Sequence, residues 1–197
     1  PSLLNRIDEE GRIYMVTFLW HADDADAVVV KAHLCLGPMQ PKEFGTFHHA
    51  DSITATVFNE DSLSLPNRIS NHPRAKFSSW CRQRRQLEDR ADTDEIILTH
   101  PDGSLLEGLT SNLFVVYPGR VLRTAKDDNV LKGYARSLVM DNGILPVTFE
   151  PIHLEDSSCW LEVFCTSSIK VIVPVQRLVC NHQIVWQSSD ETQHHRV

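Results

Sequence analysis

Lys76, Glu107, Gly133 and the run Thr166-Ser167-Ser168 are the residues of this chain whose types and order could perform chemistry together. A lysine amine can condense with an aldehyde, be displaced by a substrate amine, and then serve as base and acid at a neighbouring carbon. Gly133 lets the backbone approach a ligand closely. Tyr134 and Ala135, directly after it, open a predicted helix, and the first N–H groups of a helix suit a phosphate. The Thr-Ser-Ser run offers further hydroxyls and amides. Taken singly, each residue has an ordinary explanation: Lys76 as a surface lysine ahead of a helix, Glu107 as a solvated strand-end carboxylate, Gly133 as a turn glycine, and residues 166–168 as a polar loop. What counts is whether they stand in one ordered pattern.

The elements that must position them are mainly strands. Residues 12–20 and 27–36 are rich in β-branched and large apolar side chains, and 51–58 alternates with a period near two. Residues 37–50 and 62–73, punctuated by proline, glycine and asparagine, read as irregular connections. A domain boundary is expected in the second of these, near residue 72, separating an N-terminal domain (1–72) from a C-terminal one (73–197). A helix is predicted over 78–90. Strands are predicted over 94–100, 104–107, 112–117 and 121–125, with Pro101-Asp102-Gly103 and Pro118-Gly119 as turns between them. A second helix is predicted over 134–140, stopped by Asp141-Asn142-Gly143. A strand over 146–152, a short helix over 154–160, and strands over 163–165 and 170–175 complete a β-rich core. The sum is an α+β sheet protein, not a doubly wound parallel one.

The motifs fall in one order along these elements. Lys76 stands in Pro73-Arg74-Ala75-Lys76-Phe77. It is followed by Glu107-Gly108-Leu109-Thr110-Ser111-Asn112-Leu113-Phe114, by Leu122-Arg123-Thr124, and by Leu131-Lys132-Gly133-Tyr134-Ala135-Arg136. Val163-Phe164-Cys165-Thr166-Ser167-Ser168 and Ile172-Val173-Pro174-Val175 come last. Across this stretch the chain resembles the class IV aminotransferases, the fold-type IV pyridoxal-phosphate enzymes. That family comprises branched-chain and D-amino-acid aminotransferases together with aminodeoxychorismate lyase.

The resemblance implies a D-amino-acid aminotransferase-like large domain, preceded here by a partial small α/β domain. It implies pyridoxal 5'-phosphate as cofactor, with Lys76 holding the aldehyde as an internal aldimine. The cofactor withdraws electrons only while its ring nitrogen stays protonated, which calls for a carboxylate, and by resemblance that carboxylate is Glu107. The phosphate would be held by the Gly133 turn with the amides of Tyr134 and Ala135, and by those of Ser167 and Ser168. Asn112 and Arg136 would hold the motif's backbone together more than touch substrate. Substrates would be an amino acid and a keto acid, and the assembly a homodimer.

Departures from the family pattern matter too. A tyrosine common among relatives is replaced by Cys81, a weak donor. Lys132 replaces a proline and either helps hold phosphate or faces solvent. The small domain is expected to be longer than the stretch ahead of Lys76 here. Two functional readings follow. The first is a transaminase, with aminodeoxychorismate lyase-like activity as its sibling. The second is a non-catalytic or truncated relative without a complete substrate pocket.

Composition bounds the remaining possibilities. With 197 residues the chain can bury a sizeable core, and its hydrophobic and charged fractions, 42% and 23%, are those of an ordinary globular protein. A formal net charge of −7 argues against a nucleic-acid partner. The five cysteines are odd in number, widely spaced and free of C-x-x-C, which disfavours disulfides and a zinc site. No apolar run approaches the ~20 residues of a membrane span, so a cytoplasmic setting without membrane contact is expected. His48-His49 and His194-His195 have no acidic partner at helical spacing, and no metal site is expected. Arg82, Arg84 and Arg85 read as a solvated helix face or a contact for a substrate carboxylate. Trp160 and Trp186 read as packing residues.

Overall fold

The computed structural model describes residues 14–22, 28–36, 52–58, 78–89 and 91–189, apart from the side chains of 14–22, 28–36, 78, 79 and 81–83. Two compact units divide the chain, Pro1–Thr46 and Phe47–Val197. In the first, β1 (Tyr14–Ala22) and β2 (Val28–Leu36) pair antiparallel, from Tyr14 opposite Leu36 to Ala22 opposite Val28. β1 carries β-branched and aromatic residues and β2 opens on three valines, types that favour an extended chain.

The second unit is built on a nine-stranded sheet. Its strands are β3 (Ile53–Phe58), β4 (Glu95–Thr99), β5 (Leu105–Gly108), β6 (Asn112–Tyr117), β7 (Val121–Arg123), β8 (Val147–Thr148), β9 (Glu162–Ser167), β10 (Val171–Cys180) and β11 (Gln183–Gln187). Among the described residues two α-helices accompany them, α1 (Ser78–Glu88) and α2 (Tyr134–Asp141), with a 3-10 turn over Leu154–Cys159. The pairings β3–β4–β5–β6–β9–β10 return to β3, because β10 pairs with β9 through its first half and with β3 through its second. These strands therefore close on themselves, and such closure removes their exposed edges. The fold is α+β, as the sequence leads one to expect.

Strand alternation explains what fills this ring. Leu113, Val115 and Tyr117 on β6, Val163 and Cys165 on β9, and Ala55 and Val57 on β3 point into one buried cluster with Trp160 and Trp186. Both tryptophans are packing residues, as expected. The intervening residues Phe114, Val116 and Phe164 face outward, where Val139 and Met140 of α2 pack on them. The Phe114 and Phe164 rings stack with centroids 5.1 Å apart. On β4 the outward residues Ile96 and Leu98 meet Leu87 and Trp80 of α1 and Leu109.

Some expectations need correcting. β3 was expected ahead of a domain boundary near residue 72, but it lies in the second unit, parallel to both β4 and β10. Its alternating Ala55 and Val57 supply the ring's core. The boundary position itself lies outside the described residues. The strand expected over 146–152 shrinks to Val147–Thr148, because Pro146 and Pro151 lack the N–H groups a ladder needs. β10 runs on to Cys180 and turns into β11, which the sequence did not signal. Its two-residue turn is Asn181-His182, both with positive φ of 49° and 62°. That is the backbone of a type I′ hairpin, but without the glycine that usually announces one.

Two outcomes follow. Leu113 is fully buried, so Leu113→Ala should lower unfolding free energy by ~2–5 kcal/mol in denaturant titration. In the β4–β5 turn, Ser104 donates its hydroxyl and its amide to Asp102 Oδ1 at 2.6 and 2.9 Å. These bonds hold the Asp102 carboxyl down to about 2. A carboxylate depressed in the folded state stabilises above its unfolded pKa and loses that contribution as pH falls through its folded value. NMR titration of Ser104→Ala, which keeps the backbone amide bond, should find the Asp102 pKa raised from about 2 part of the way toward 3.8.

Candidate active site

The Glu107 to Phe114 segment folds into two short strands and a tight turn, and a carboxylate the sequence analysis did not single out holds that turn. Glu95, at the start of β4, accepts from the amides of Ile96 and Leu109 through Oε1, both at 3.0 Å. Its Oε2 accepts from the hydroxyls of Thr110 at 3.0 Å and Ser111 at 2.8 Å. Gly108 is required there, since a Cβ would meet Ser111 Oγ and come within 2.7 Å of Glu95 Cδ. The only sequence signal for Glu95 is its position as the charged first residue of an otherwise apolar strand.

Glu107 and Asn112 face each other across β5 and β6, and both are buried. Asn112 Nδ2 donates to Glu107 Oε2 at 3.1 Å and to the Leu131 carbonyl at 2.7 Å. The Leu131 amide donates to the same Glu107 oxygen at 3.0 Å. Asn112 Oδ1 lies against Gly133, where a Cβ would overlap it. Glu107, Asn112 and the Gly133 turn, far apart in sequence, thus form one contact set. Gly133 is required for close packing here and not for an unusual backbone angle, since its φ is −68°.

Gly133 is the N-cap of α2, and no side chain caps that end of the helix. Ala135 is buried, while Tyr134 points to solvent. No acidic residue occupies the first turn, so the positive end of the helix carries no local counter-charge of its own. Arg136, fully buried, donates through Nη1 to Asp127 Oδ1 and through Nη2 to the Ala125 carbonyl, both at 2.8 Å. It holds the loop between β7 and α2, as expected. Lys132 turns to the other oxygen of Asp127 at 2.6 Å. Hydrogen bonds from Lys132 and then Arg136 push the Asp127 carboxyl below its ordinary range. Nothing in the sequence pattern marked Asp127.

Thr166 sits opposite Asn112 on β9. It is 1% exposed and its Oγ1 meets no hydrogen-bond partner among the described residues. Thr166 and Ser167 end the strand and are not loop residues, while Ser168 is exposed in the turn. Ser167 Oγ accepts from the Lys170 amide at 3.1 Å. Val171, which closes this turn, has φ of +58°, a left-handed conformation that is costly for a β-branched residue. Thr124, at the end of the Leu122-Arg123-Thr124 motif, donates its hydroxyl to the Leu113 carbonyl at 2.8 Å, a structural role.

Lys76 lies outside the described residues, as does the side chain of Cys81. The helix after Lys76 is tied to the turn by Trp80, whose Nε1 donates to the Leu109 carbonyl at 3.2 Å. On the same helix Arg84 pairs with Glu88 at 3.3 Å, on a partly exposed face. Both histidine pairs, His48-His49 and His194-His195, also lie outside the described residues. Among the described residues no cluster fit for a metal ion occurs, and no helix is long and apolar enough to cross a membrane.

Pyridoxal phosphate, the cofactor the resemblance implies, can be tested against these residues. Three features fit it. A buried carboxylate, Glu107, is fixed in place by two donors on one oxygen. An uncapped helix start follows a glycine that admits no side chain. A buried threonine hydroxyl nearby in register is left without a protein partner, a situation that costs about 1–3 kcal/mol unless something else satisfies it.

Comparison with known proteins gives a consistent result. The family model described as amino-transferase class IV matches residues 9–178. A probable branched-chain-amino-acid aminotransferase from Synechocystis is 25% identical over 143 residues, which are 69% of this chain and 46% of that protein. A branched-chain amino acid aminotransferase from Thermobaculum terrenum, solved in its PLP form, aligns with a TM-score of 0.67 at 18% identity, covering 94% of this chain and 62% of that one. A fold IV-transaminase from Curtobacterium pusillum aligns with a TM-score of 0.65 at 17% identity, covering 89% and 59%. The chain thus spans about half the length of the curated relative it matches.

The Glu95 knot can be checked apart from any activity. Glu95→Ala removes the carboxylate that gathers the Thr110 and Ser111 hydroxyls and shares the Leu109 amide with the Ile96 carbonyl, and it should cost ~1–3 kcal/mol of stability, read by thermal or denaturant unfolding. An unchanged midpoint would show that the turn holds without the carboxylate.

Proposed function

The chain belongs to the class IV aminotransferases, and on that footing we propose that it binds pyridoxal phosphate and transfers an amino group between an amino acid and a keto acid. When bound, the cofactor supplies an aldehyde for the incoming amine and a ring that draws electrons from the substrate's α-carbon. Lys76 is the residue proposed to hold that aldehyde and to move a proton at the α-carbon once freed. Glu107 is proposed to hold the proton on the ring nitrogen. The amides of Tyr134 and Ala135, with those of Ser167 and Ser168 and the Thr166 hydroxyl, would bind the phosphate. A homodimer and a cytoplasmic setting belong to the same proposal and rest on the resemblance.

The observation that carries this reading is the joint anchoring of Glu107 and the Gly133 turn by Asn112. A carboxylate needed only for packing would not have to be coupled to a helix start that suits a phosphate.

Purified protein mixed with pyridoxal phosphate should develop a visible absorbance band, and borohydride should fix the cofactor covalently to the peptide that contains Lys76. Lys76→Ala should lose both the band and the label. A panel of amino acids should then release the matching keto acids. Protein that stays colourless and unlabelled would sink the enzyme reading, and a labelled protein that converts no amino acid would favour a non-catalytic relative. Glu107→Gln should retain the label but lower turnover by at least ~100-fold, the lower end of what a positioned proton-handling group contributes. Undiminished turnover in that variant would remove Glu107 from its assigned role.

A further inference from the structure

Lys132 is the charged residue of the Leu-Lys-Gly-Tyr-Ala-Arg motif whose presence neither packing nor backbone geometry requires. It stands immediately before Gly133, the N-cap of α2. Its ammonium lies 2.6 Å from Asp127 Oδ2, with the side chain half exposed. Arg136, the other cation on Asp127, is differently placed: its side chain is 2% exposed and it is also bonded to the Ala125 carbonyl. Arg136 is therefore committed to the loop, whereas an exposed lysine pair holds weakly and can exchange partners. Both cations meet Asp127, and the helix start beside them has no acidic residue in its first turn. The orphaned Thr166 hydroxyl, opposite Asn112, marks the same corner as one where a polar ligand is needed.

We propose that Lys132 is a side-chain ligand of the cofactor phosphate, held ready by Asp127 and transferred to the phosphate oxygens on binding. This rests on the cofactor reading above. A flexible ammonium on a four-carbon stem suits that exchange better than a rigid planar guanidinium would. The phosphate dianion outcompetes Asp127 because it carries more charge and meets the helix amides at the same place.

The test compares pyridoxal phosphate with pyridoxal, which lacks the phosphate, on the full chain. Dissociation constants for both are measured by absorbance titration for the wild type, Lys132→Met and Lys132→Arg. Lys132→Met should bind pyridoxal phosphate about tenfold more weakly, the effect of one lost charge-assisted hydrogen bond, and bind pyridoxal as the wild type does. Lys132→Arg, which keeps the charge, should recover most of the loss. Equal weakening toward both ligands would mean that Lys132 only braces the loop, and unchanged pyridoxal phosphate binding would mean that it does not meet the phosphate; either result overturns the proposal. A wild type that binds neither ligand would instead overturn the cofactor reading itself, and this inference with it.

Discussion

The carboxamide of Asn112 ties a buried carboxylate, the loop before α2 and the start of that helix to one another. Its nitrogen reaches Glu107 on the neighbouring strand and the Leu131 carbonyl in the loop before α2. Its oxygen occupies the space a side chain at position 133 would need. Leu131 returns a hydrogen bond to Glu107, so carboxylate, loop and helix start are held as one. A buried polar network of this kind is stabilising when its members are satisfied and costly when one is removed. The same bonds that stiffen the second unit therefore also set the distance between a carboxylate and a helix N-terminus.

That arrangement depends on the closed ring of strands. Asn112 can face Glu107 on one side and Thr166 on the other only because β6 lies between β5 and β9. The ring's interior is apolar, so the polar row must sit on its outer face, where α2 packs with Val139 and Met140. Charge follows the same geometry. Asp127 balances Arg136 in the protein interior and Lys132 near the surface. Glu95 plays the corresponding part at the β5–β6 turn, gathering two amides and two hydroxyls around one carboxylate. Neither Glu95 nor Asp127 belongs to the motif, yet both hold the backbone that the motif residues ride on.

What the chain's own order of residues determined is the family and the α+β class. Alternating apolar positions such as Leu113, Val115 and Tyr117 mark a strand buried on one face, and Glu107, Asn112, Gly133 and Arg136 are legible because each stands at a fixed place in a local pattern. Local patterns fail where the cause is not local. β11 was missed because Asn181-His182 turns without glycine, and β3 was grouped with the wrong unit because its partners β4 and β10 lie far along the chain. Only the tertiary structure decided that Gly133 is demanded by a side chain 21 positions earlier, that Thr166 ends a strand beside Asn112, and that Lys132 and Arg136 share Asp127. The physical reason is the same throughout: hydrogen bonds and ion pairs between distant segments are fixed by how strands close on one another, and spacing along the sequence carries no record of that closure.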